Sequence, residues 1–221
     1  MAERFDLIVF DWDGTLMDSA AAIVRAMQAA ARDLDLPVPS EERARYVIGL
    51  GLGDALRHAV PDLEESDYPR MVERYRHHYL SSDHELSLFE GIDALIDALA
   101  GRGHLLAVAT GKSRVGLNRA LGHTGLGRYF HATRCADECF SKPHPAMLEA
   151  LMDELGVAPE RTLMIGDTTH DLQMAKNART AGLAVGFGAH PVEVLVAESP
   201  LACVRTPGEL AGWLLANARA A

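Results

Sequence analysis

Four short apolar runs constrain the fold of this chain more than any other feature. They occupy residues 7–10, 105–109, 163–165 and 183–185. None of them alternates polar with apolar residues, which is typical of strands buried on both faces of a parallel sheet. Between the runs lie helical patterns over about 92–100, 113–121, 145–154 and 170–178. This alternation predicts an α/β fold, in which helices cover both faces of a parallel sheet.

A long segment after the first run breaks this alternation. It has no strand-like run, and it shows helical patterns over about 18–34, 40–47, 54–60 and 67–80. An all-helical block at this point is best interpreted as a cap that is inserted into the core. We therefore predict a Rossmann-like α/β core, residues 1–17 and 86–221, with an α-helical cap over residues 18–85.

Two short stretches of this cap segment carry more specific predictions. Asp18 and Ser19 stand where the chain leaves the core, and we interpret them as a hinge and as the N-cap of the first cap helix. The stretch Gly49-Leu50-Gly51-Leu52-Gly53 follows helical rather than strand sequence and lacks the GxGxxG spacing, so it is not a dinucleotide-binding loop. It is either a loop that closes over substrate or a plain linker between helices.

The composition excludes several classes of protein. Hydrophobic residues make up 48% and charged residues 24%, which is typical of a globular chain rather than a disordered one. The formal net charge of −10 disfavours binding to nucleic acid or to anionic membranes. No apolar run approaches the roughly 18 residues of a membrane span. Three cysteines cannot all pair, so we expect a reducing, cytoplasmic setting.

Polar residues follow three of the predicted strands at the point where each strand ends. Asp11 follows the first run, Thr110 follows the second, and Asp167 lies one glycine beyond the third. The carboxyl ends of parallel strands lie along one edge of the sheet, which is where open α/β folds bind their ligands. The topology alone therefore brings these three distant residues together.

Carboxylates are concentrated at this edge. Asp11 and Asp13 are two residues apart, so in extended backbone they point to the same side, and Gly14 then allows a sharp turn. Asp167 and Asp171 are four apart and would share a face at the start of a helix. Without compensation, these acids would repel one another. Mg²⁺ would resolve the repulsion, because it binds carboxylate oxygens together with phosphate oxygens and water.

Groups that suit a phosphate complete the arrangement. Lys142 is one of only three lysines in the chain, and it lies in a stretch stiffened by Pro143 and Pro145, which would aim its ammonium group in a fixed direction. Thr110 and Gly111 offer a hydroxyl and a backbone N–H ahead of a predicted helix, whose positive end favours a phosphate. Each feature taken singly has an ordinary structural explanation, such as a turn, a helix cap or a solvated lysine. Their joint occurrence in this order indicates a site.

These residues match a known family. Asp11-Trp12-Asp13-Gly14-Thr15-Leu16 resembles the DxDGT signature of the haloacid dehalogenase-like hydrolases. Thr110-Gly111, Lys142-Pro143 and Gly166-Asp167-Thr168-Thr169-His170-Asp171 are similar to the second, third and fourth motifs of that family. The resemblance spans residue 5 to about residue 190. The layout is most similar to the phosphoglycolate phosphatase-like branch, which carries a helical cap.

The resemblance implies roles for the two aspartates of the first motif. Asp11 would be the nucleophile that accepts the phosphoryl group, and a carboxylate needs no general base to activate it. Asp13 would protonate the leaving alcohol and then activate the water that cleaves the aspartyl-phosphate.

The resemblance also implies how metal and phosphate are held. Asp11, the carbonyl of Asp13 and Asp167 would bind Mg²⁺, with Asp171 close by or paired with Lys142. Thr110, Gly111 and Lys142 would bind the phosphoryl oxygens. This division suits phosphoryl transfer, which depends mainly on positioning and on neutralisation of charge.

We therefore expect a Mg²⁺-dependent phosphoric monoester hydrolase that acts on a small phosphorylated metabolite, with 2-phosphoglycolate as the first substrate to consider. A sugar phosphomutase and a pyrophosphate or nucleotide phosphatase use the same core and stay open. An alternative of another class is a catalytically inactive binding or regulatory module, although such a module would be expected to have lost one of the four motifs. No nucleic-acid or membrane partner is expected, and the chain is a monomer or a homodimer.

Overall fold

The computed structural model describes residues 3–82 and 86–219. The strands are β1 (Glu3–Arg4), β2 (Leu7–Phe10), β3 (Leu105–Thr110), β4 (Ala132–Cys135), β5 (Thr162–Gly166), β6 (Ala181–Val185), β7 (Cys203–Val204) and β8 (Ala218–Arg219). The helices are α1 (Ala20–Asp33), α2 (Glu41–Tyr46), α3 (Leu52–Ala59), α4 (Tyr68–Ser82), α5 (Ile92–Gly101), α6 (Arg114–Thr124), α7 (Ala146–Leu155), α8 (Thr169–Asn177), α9 (Val192–Ala197) and α10 (Pro207–Asn217).

Six strands form one parallel sheet in the order β4-β3-β2-β5-β6-β7. Strand β2 is central, with Phe10 opposite Val108 of β3 on one side and Ile165 of β5 on the other. Strands β1 and β8 pair in parallel with each other, apart from this sheet. The predicted α/β fold with a parallel sheet is confirmed.

Helices cover both faces of the sheet because alternate strand residues point to opposite sides. From β2, Leu7 and Val9 join a hydrophobic cluster with residues of α7 and α8. Ile8 and Phe10 join a second cluster with residues of α5 and α10. Side chains of β3 and β5 divide between the two clusters in the same way. A strand covered on both faces needs apolar residues at every position, which explains the uninterrupted runs.

The apolar runs predicted four of the six strands of this sheet and missed two; they also gave no sign of β1 and β8. The four that they predicted, β2, β3, β5 and β6, are the inner strands of the sheet. The two that were missed, β4 and β7, are its edges. An edge strand has a neighbour on one side only and tolerates polar residues, and β4 contains Thr133 and Arg134. Helices α9 and α10 also had no counterpart in the prediction.

The described part of the segment between β2 and α5 consists of helices and loops, and its β-contacts are the isolated bridges of Met17 with Asp13 and with Leu88. Helices α1 to α4 lie at the four predicted helical patterns, and their ends differ from the prediction by a few residues. They bury a hydrophobic cluster of their own, to which Met27, Leu56 and Met71 contribute and which Ala189 joins from the rest of the chain. In the described part of the chain, no helix is long and apolar enough to cross a membrane.

Candidate active site

The polar residues that were predicted at the strand ends do lie at one edge of the sheet. Asp11 directly follows β2, Thr110 is the last residue of β3, and Asp167 directly follows β5. Because β3 and β5 are the two neighbours of β2, their carboxyl ends flank Asp11. All three residues are fully buried.

A cluster of three carboxyl groups forms the centre of the site. Asp11, Asp167 and Asp171 each place an oxygen within 4.8 Å of the others. The Lys142 ammonium lies between two of them, with Nζ 2.7 Å from Asp11 Oδ1 and 2.7 Å from Asp171 Oδ1. Of the two arrangements that the sequence left open for Asp171, near the cluster or paired with Lys142, the structure shows both.

This cluster carries too little positive charge for its acids. Burial raises the pKa of Asp11 well above its ordinary value, and the charge of Lys142 only partly opposes that effect. Burial, together with the charge of Asp171, raises the pKa of Asp167 to about 7. Burial alone would lower the pKa of Lys142, but its two aspartate neighbours raise it above the ordinary value. Asp11 Oδ2 accepts no hydrogen bond from any described residue. A hard cation with oxygen ligands fits these residues.

Two hydrogen bonds hold the Asp167 carboxylate in place, and two glycines leave the space that it occupies. Thr15 Oγ1 donates a hydrogen bond to Asp167 Oδ1 at 2.9 Å, and the Ala189 amide donates to Oδ2 at 2.7 Å. Gly14 has φ +83°, and a Cβ on it would lie 2.2 Å from Asp167 Oδ2. A Cβ on Gly188 would lie 2.3 Å from the same oxygen. Only glycine fits at Gly14, since both its backbone conformation and its space exclude a side chain.

Asp171 is held by the start of helix α8. Thr168 is the N-cap, and its side chain and that of Asp171 form a reciprocal capping box. The Thr168 hydroxyl donates to Asp171 Oδ2 at 2.7 Å, and the Thr168 amide donates to the same oxygen at 3.1 Å. The other oxygen, Oδ1, faces Lys142. The helix-cap explanation of Thr168 is confirmed, and the functional role of Asp171 stays a prediction.

The Asp13 side chain lies outside this cluster and has its own cation. Lys112 Nζ donates to Asp13 Oδ1 and Oδ2, each at 2.9 Å. The Ser19 hydroxyl also donates to Oδ1, at 2.7 Å. Ser19 stands at the N-cap position of helix α1, as predicted, but its side chain makes no capping hydrogen bond. The Ser19 hydroxyl donates its hydrogen bond to Asp13 instead.

Lys112 is a residue of the site that sequence reasoning missed. Besides Asp13, its Nζ reaches the hydroxyl of Tyr79 on α4 at 2.9 Å. Burial would lower the pKa of Lys112, but the charge of Asp13 raises it above the ordinary value. One signal was available, since Lys112 directly follows Thr110-Gly111 at a strand end. The contact with Tyr79, however, joins residues that lie far apart in the sequence.

The four motifs and the fold agree with known proteins. A family model described as haloacid dehalogenase-like hydrolase matches residues 8–185. The chain belongs to the haloacid dehalogenase-like hydrolases. The resemblance drawn from its motifs is thus confirmed.

Several relatives cover nearly the whole chain. Probable phosphatase IndB of Dickeya dadantii is 38% identical over 93% of this chain and 92% of its own length. A 5′-nucleotidase of Pseudomonas aeruginosa is 33% identical over 90% of both. A phosphoglycolate phosphatase of Agrobacterium fabrum is 31% identical over 82% of this chain and 81% of its own.

A solved structure agrees with the fold. It is described as a predicted phosphatase of Clostridium acetobutylicum and superposes with a TM-score of 0.85 at 25% identity, over 97% of this chain and 100% of its own. The prediction that this haloacid dehalogenase-like hydrolase is a phosphoric monoester hydrolase is confirmed.

In this hydrolase the glycine-rich stretch 49–53 lies directly on the strand ends. A Cβ on Gly111 would lie 2.4 Å from the Leu50 carbonyl oxygen and 2.6 Å from that of Gly49. A Cβ on Gly49 would lie 4.0 Å from Asp11 Oδ2. The Gly51 amide donates to Ser141 Oγ at 2.8 Å. The stretch thus contacts the site, and its movement during binding stays a prediction.

A cavity of about 770 Å³ lies between the strand ends of this hydrolase and the helical insert, which comprises helices α1 to α4 and the loops that join them. Asp13 and Lys112 border it, as do residues of α1, α3, α4 and α6. Asp11 does not border it. Asp13, which is two residues from Asp11, is thus the aspartate of the first motif that borders the cavity.

Proposed function

We propose that this chain hydrolyses a phosphate monoester with Mg²⁺ through an aspartyl-phosphate on Asp11. We further propose that residues 18–85 act as a cap on a core of residues 1–17 and 86–221. The first substrate to test is 2-phosphoglycolate, which the motifs suggest and which the name of the Agrobacterium relative supports. The name of the Pseudomonas relative supports a nucleoside monophosphate as a second test substrate.

One observation carries this proposal, namely three buried carboxyl groups around a single ammonium at the edge of the sheet. The unpartnered Asp11 Oδ2 and the raised pKa values of Asp11 and Asp167 indicate missing positive charge. Asp11, Asp167 and the Asp13 carbonyl would hold Mg²⁺, with Asp171 beside them. When bound, the ion neutralises charge on the phosphoryl oxygens.

Asp11 is the residue we assign as nucleophile. Lys142 engages Oδ1, so Oδ2 is the oxygen free to attack the phosphorus atom. The bond between phosphorus and the alcohol oxygen breaks as the bond to Asp11 forms. Lys142, the Thr110 hydroxyl and the Gly111 amide would bind the phosphoryl oxygens during this transfer. The Thr110 hydroxyl oxygen already accepts a hydrogen bond from the Lys112 amide at 3.2 Å, which leaves its proton to donate.

Asp13 is the acid and base of the two steps. It donates a proton to the departing alcohol oxygen, then takes a proton from the water that attacks the aspartyl-phosphate. This second attack releases inorganic phosphate and restores Asp11. In the observed geometry both Asp13 oxygens accept hydrogen bonds from Lys112. Lys112 must therefore release one oxygen before Asp13 can act as the acid.

The deciding experiment is phosphate release from 2-phosphoglycolate, a nucleoside 5′-monophosphate and an aryl phosphate. Each ester is tested with Mg²⁺, with EDTA, and with the variant Asp11→Asn. We expect release to require Mg²⁺ and to fall by about 10³-fold or more in Asp11→Asn. The variant Asp153→Asn is the matched control, because Asp153 is exposed on α7, and it should retain full activity.

Release that persists in EDTA or in Asp11→Asn would contradict the mechanism. Transfer of the phosphoryl group between two positions of a sugar phosphate, with little free phosphate, would indicate the mutase instead. A folded protein that turns over no ester would support the inactive module.

A further inference from the structure

The large cavity beside Asp13 has more volume than a leaving group as small as glycolate would fill. Its volume of about 770 Å³ lies within the range of roughly 300–1,000 Å³ that is typical of pockets for drug-sized ligands. The leaving group of 2-phosphoglycolate, the glycolate anion, would fill only a small part of it. A pocket gains affinity from contact with its occupant, so unfilled space is a poor match.

The cavity is not an open cleft left by a detached cap. The helical insert already touches the core on several sides, through the Gly51 amide on Ser141, the Tyr79 hydroxyl on Lys112, and the Tyr46 carbonyl oxygen on His170 at 2.7 Å. Gly111 packs directly under the Leu50 carbonyl. The volume is therefore the space that remains while the insert is in contact with the strand ends.

The position of the cavity identifies which part of the substrate enters it. Asp11, where the phosphoryl group is transferred, is fully buried and does not border the cavity. Asp13 does border it, and in the proposed function Asp13 protonates the departing oxygen. The leaving group therefore extends from Asp13 into the cavity. This step rests on the proposed function.

The walls of the cavity are mostly apolar. Ile23 and Met27 of α1, Ile48 before α3, and Leu52 of α3 line it, and Tyr75 of α4 stacks on Tyr79 with ring centroids 5.9 Å apart. Lys112, the cation nearest to the departing oxygen, is already neutralised by Asp13. A ring would find apolar and aromatic contacts in this cavity. Arg57, Arg76 and Arg119 also line it, so its walls accept polar groups carried by that ring.

From this geometry we propose that the preferred substrates are phosphate monoesters with a bulky, ring-containing leaving group of about nucleoside size. Esters as small as 2-phosphoglycolate are then poor substrates. The inference names the class of leaving group, and it leaves the roles of Asp11 and Asp13 as proposed.

Pairs of esters that share the same reacting bond test the preference. Uridine 5′-monophosphate and ribose 5-phosphate both release a primary alcohol, and only the first carries the base. 2-Naphthyl phosphate and phenyl phosphate differ by one fused ring. We expect kcat/KM to be at least tenfold higher for the larger member of each pair, and higher for uridine 5′-monophosphate than for 2-phosphoglycolate.

Helix α6 offers one variant that narrows the cavity and a matched control that does not. Gly116 lines the cavity, and a Cβ on it would approach nothing closer than 3.4 Å. Gly122 lies on the same helix outside the cavity, with open space around its Cβ position. Gly116→Phe should lower kcat/KM for the larger esters at least tenfold and for the smaller ones less than threefold. Gly122→Phe should change neither.

Each outcome separates this inference from the proposed function. Asp11-dependent turnover without a preference for the larger esters overturns the inference and leaves the mechanism standing. Equal losses for large and small esters in Gly116→Phe, with the protein folded by circular dichroism, also overturn it. If Gly116→Phe does not fold, the ranking of esters by the unmodified enzyme decides. Failure to turn over any ester overturns the proposed function itself.

Discussion

Two lysine–aspartate groups lie within this site, and they differ in what surrounds them. Lys142 is enclosed in the core, between Asp11 and Asp171, and the side chains of this group are 0–1% exposed. Lys112 pairs with Asp13 at the border of the cavity, and these two side chains are 12% and 10% exposed. The first group draws all its members from around the sheet, whereas the second also takes Tyr79 from the helical insert.

Under the proposed function, the difference suits separate tasks for the two groups. A fully enclosed group keeps one geometry, which suits the attack on phosphorus that every substrate shares. A group that borders a cavity and touches the insert responds to what enters, which suits protonation of leaving groups of varied shape. Under the proposed function, attack on phosphorus thus belongs to the enclosed group, and proton transfer to and from the leaving group and water belongs to the border group.

Removal of Lys142 should have the largest effect on stability. Lys142→Met leaves Asp11 and Asp171 buried without their shared cation, and breaking a buried pair costs about 3–5 kcal/mol. We expect a loss of that size in the free energy of unfolding, measured by urea titration in EDTA. Lys176→Met is the matched control, because Lys176 is half exposed in its pair with Glu198 and should cost less than about 1 kcal/mol. Equal losses in the two variants would show that enclosure does not distinguish the Lys142 group.

Mg²⁺ should stabilise the folded protein through the carboxylates of the enclosed group, and this gain should not depend on the Lys112 side chain. An ion at 100 times its dissociation constant raises the free energy of unfolding by about 2.7 kcal/mol. We expect this gain in the unmodified protein and in Lys112→Met, measured as a rise in the melting temperature on addition of Mg²⁺. Asp167→Asn should lose it, because this change removes a carboxylate from the cluster. A full gain in Asp167→Asn would place the ion elsewhere.

Removal of Lys112 should affect activity more than folding. Lys112→Met leaves Asp13 with only the Ser19 hydroxyl to orient it, and misplacement of a reacting group costs about 10–100-fold in rate. We expect kcat to fall by this factor for small and large esters alike. Lys112→Arg keeps the charge and should recover part of the rate. An unchanged kcat in Lys112→Met would show that the Lys112 side chain does not contribute to catalysis.

The hydrogen bond between Lys112 and the Tyr79 hydroxyl of the insert should make the smallest contribution to activity. Tyr79→Phe removes one hydroxyl that Lys112 contacts, and a hydrogen bond to this cation should be worth about 2–10-fold in kcat/KM. A double-mutant cycle with Lys112→Met isolates the pair, and the loss from Tyr79→Phe should shrink once Lys112 is gone. Additive losses would mean that Tyr79 acts through its other contacts instead.

The members of the enclosed group were predictable from the sequence, whereas in the border group only Asp13 was, and its pairing with Lys112 was not. Asp11, Thr110 and Asp167 follow apolar runs, so the parallel topology brings them together whatever else the chain does. Lys142 was identified from its rarity and the prolines beside it. Ser19 lies at the predicted N-cap position, where a serine hydroxyl usually caps the helix, but nothing in the local sequence shows that this hydroxyl donates to Asp13 instead.

The same contrast separates the inner strands from the edge strands. The runs at β2, β3, β5 and β6 are apolar throughout because helices cover both faces of the sheet there. At the edges, β4 pairs with β3 alone and β7 with β6 alone, and both are short. Their positions depend on neighbours that the local pattern does not reveal.

By itself, the sequence determined the class of fold, the family and the carboxylates at the strand ends, because each of these follows from residue type and short-range order. Only the tertiary structure decided that Lys112 pairs with Asp13, that Tyr79 joins them, and that a cavity of about 770 Å³ opens beside them. The physical reason is that the contact between positions 79 and 112 and the volume of the cavity depend on how the helical insert packs on the sheet. That packing is the sum of many weak contacts between distant residues, and no short stretch of sequence encodes it.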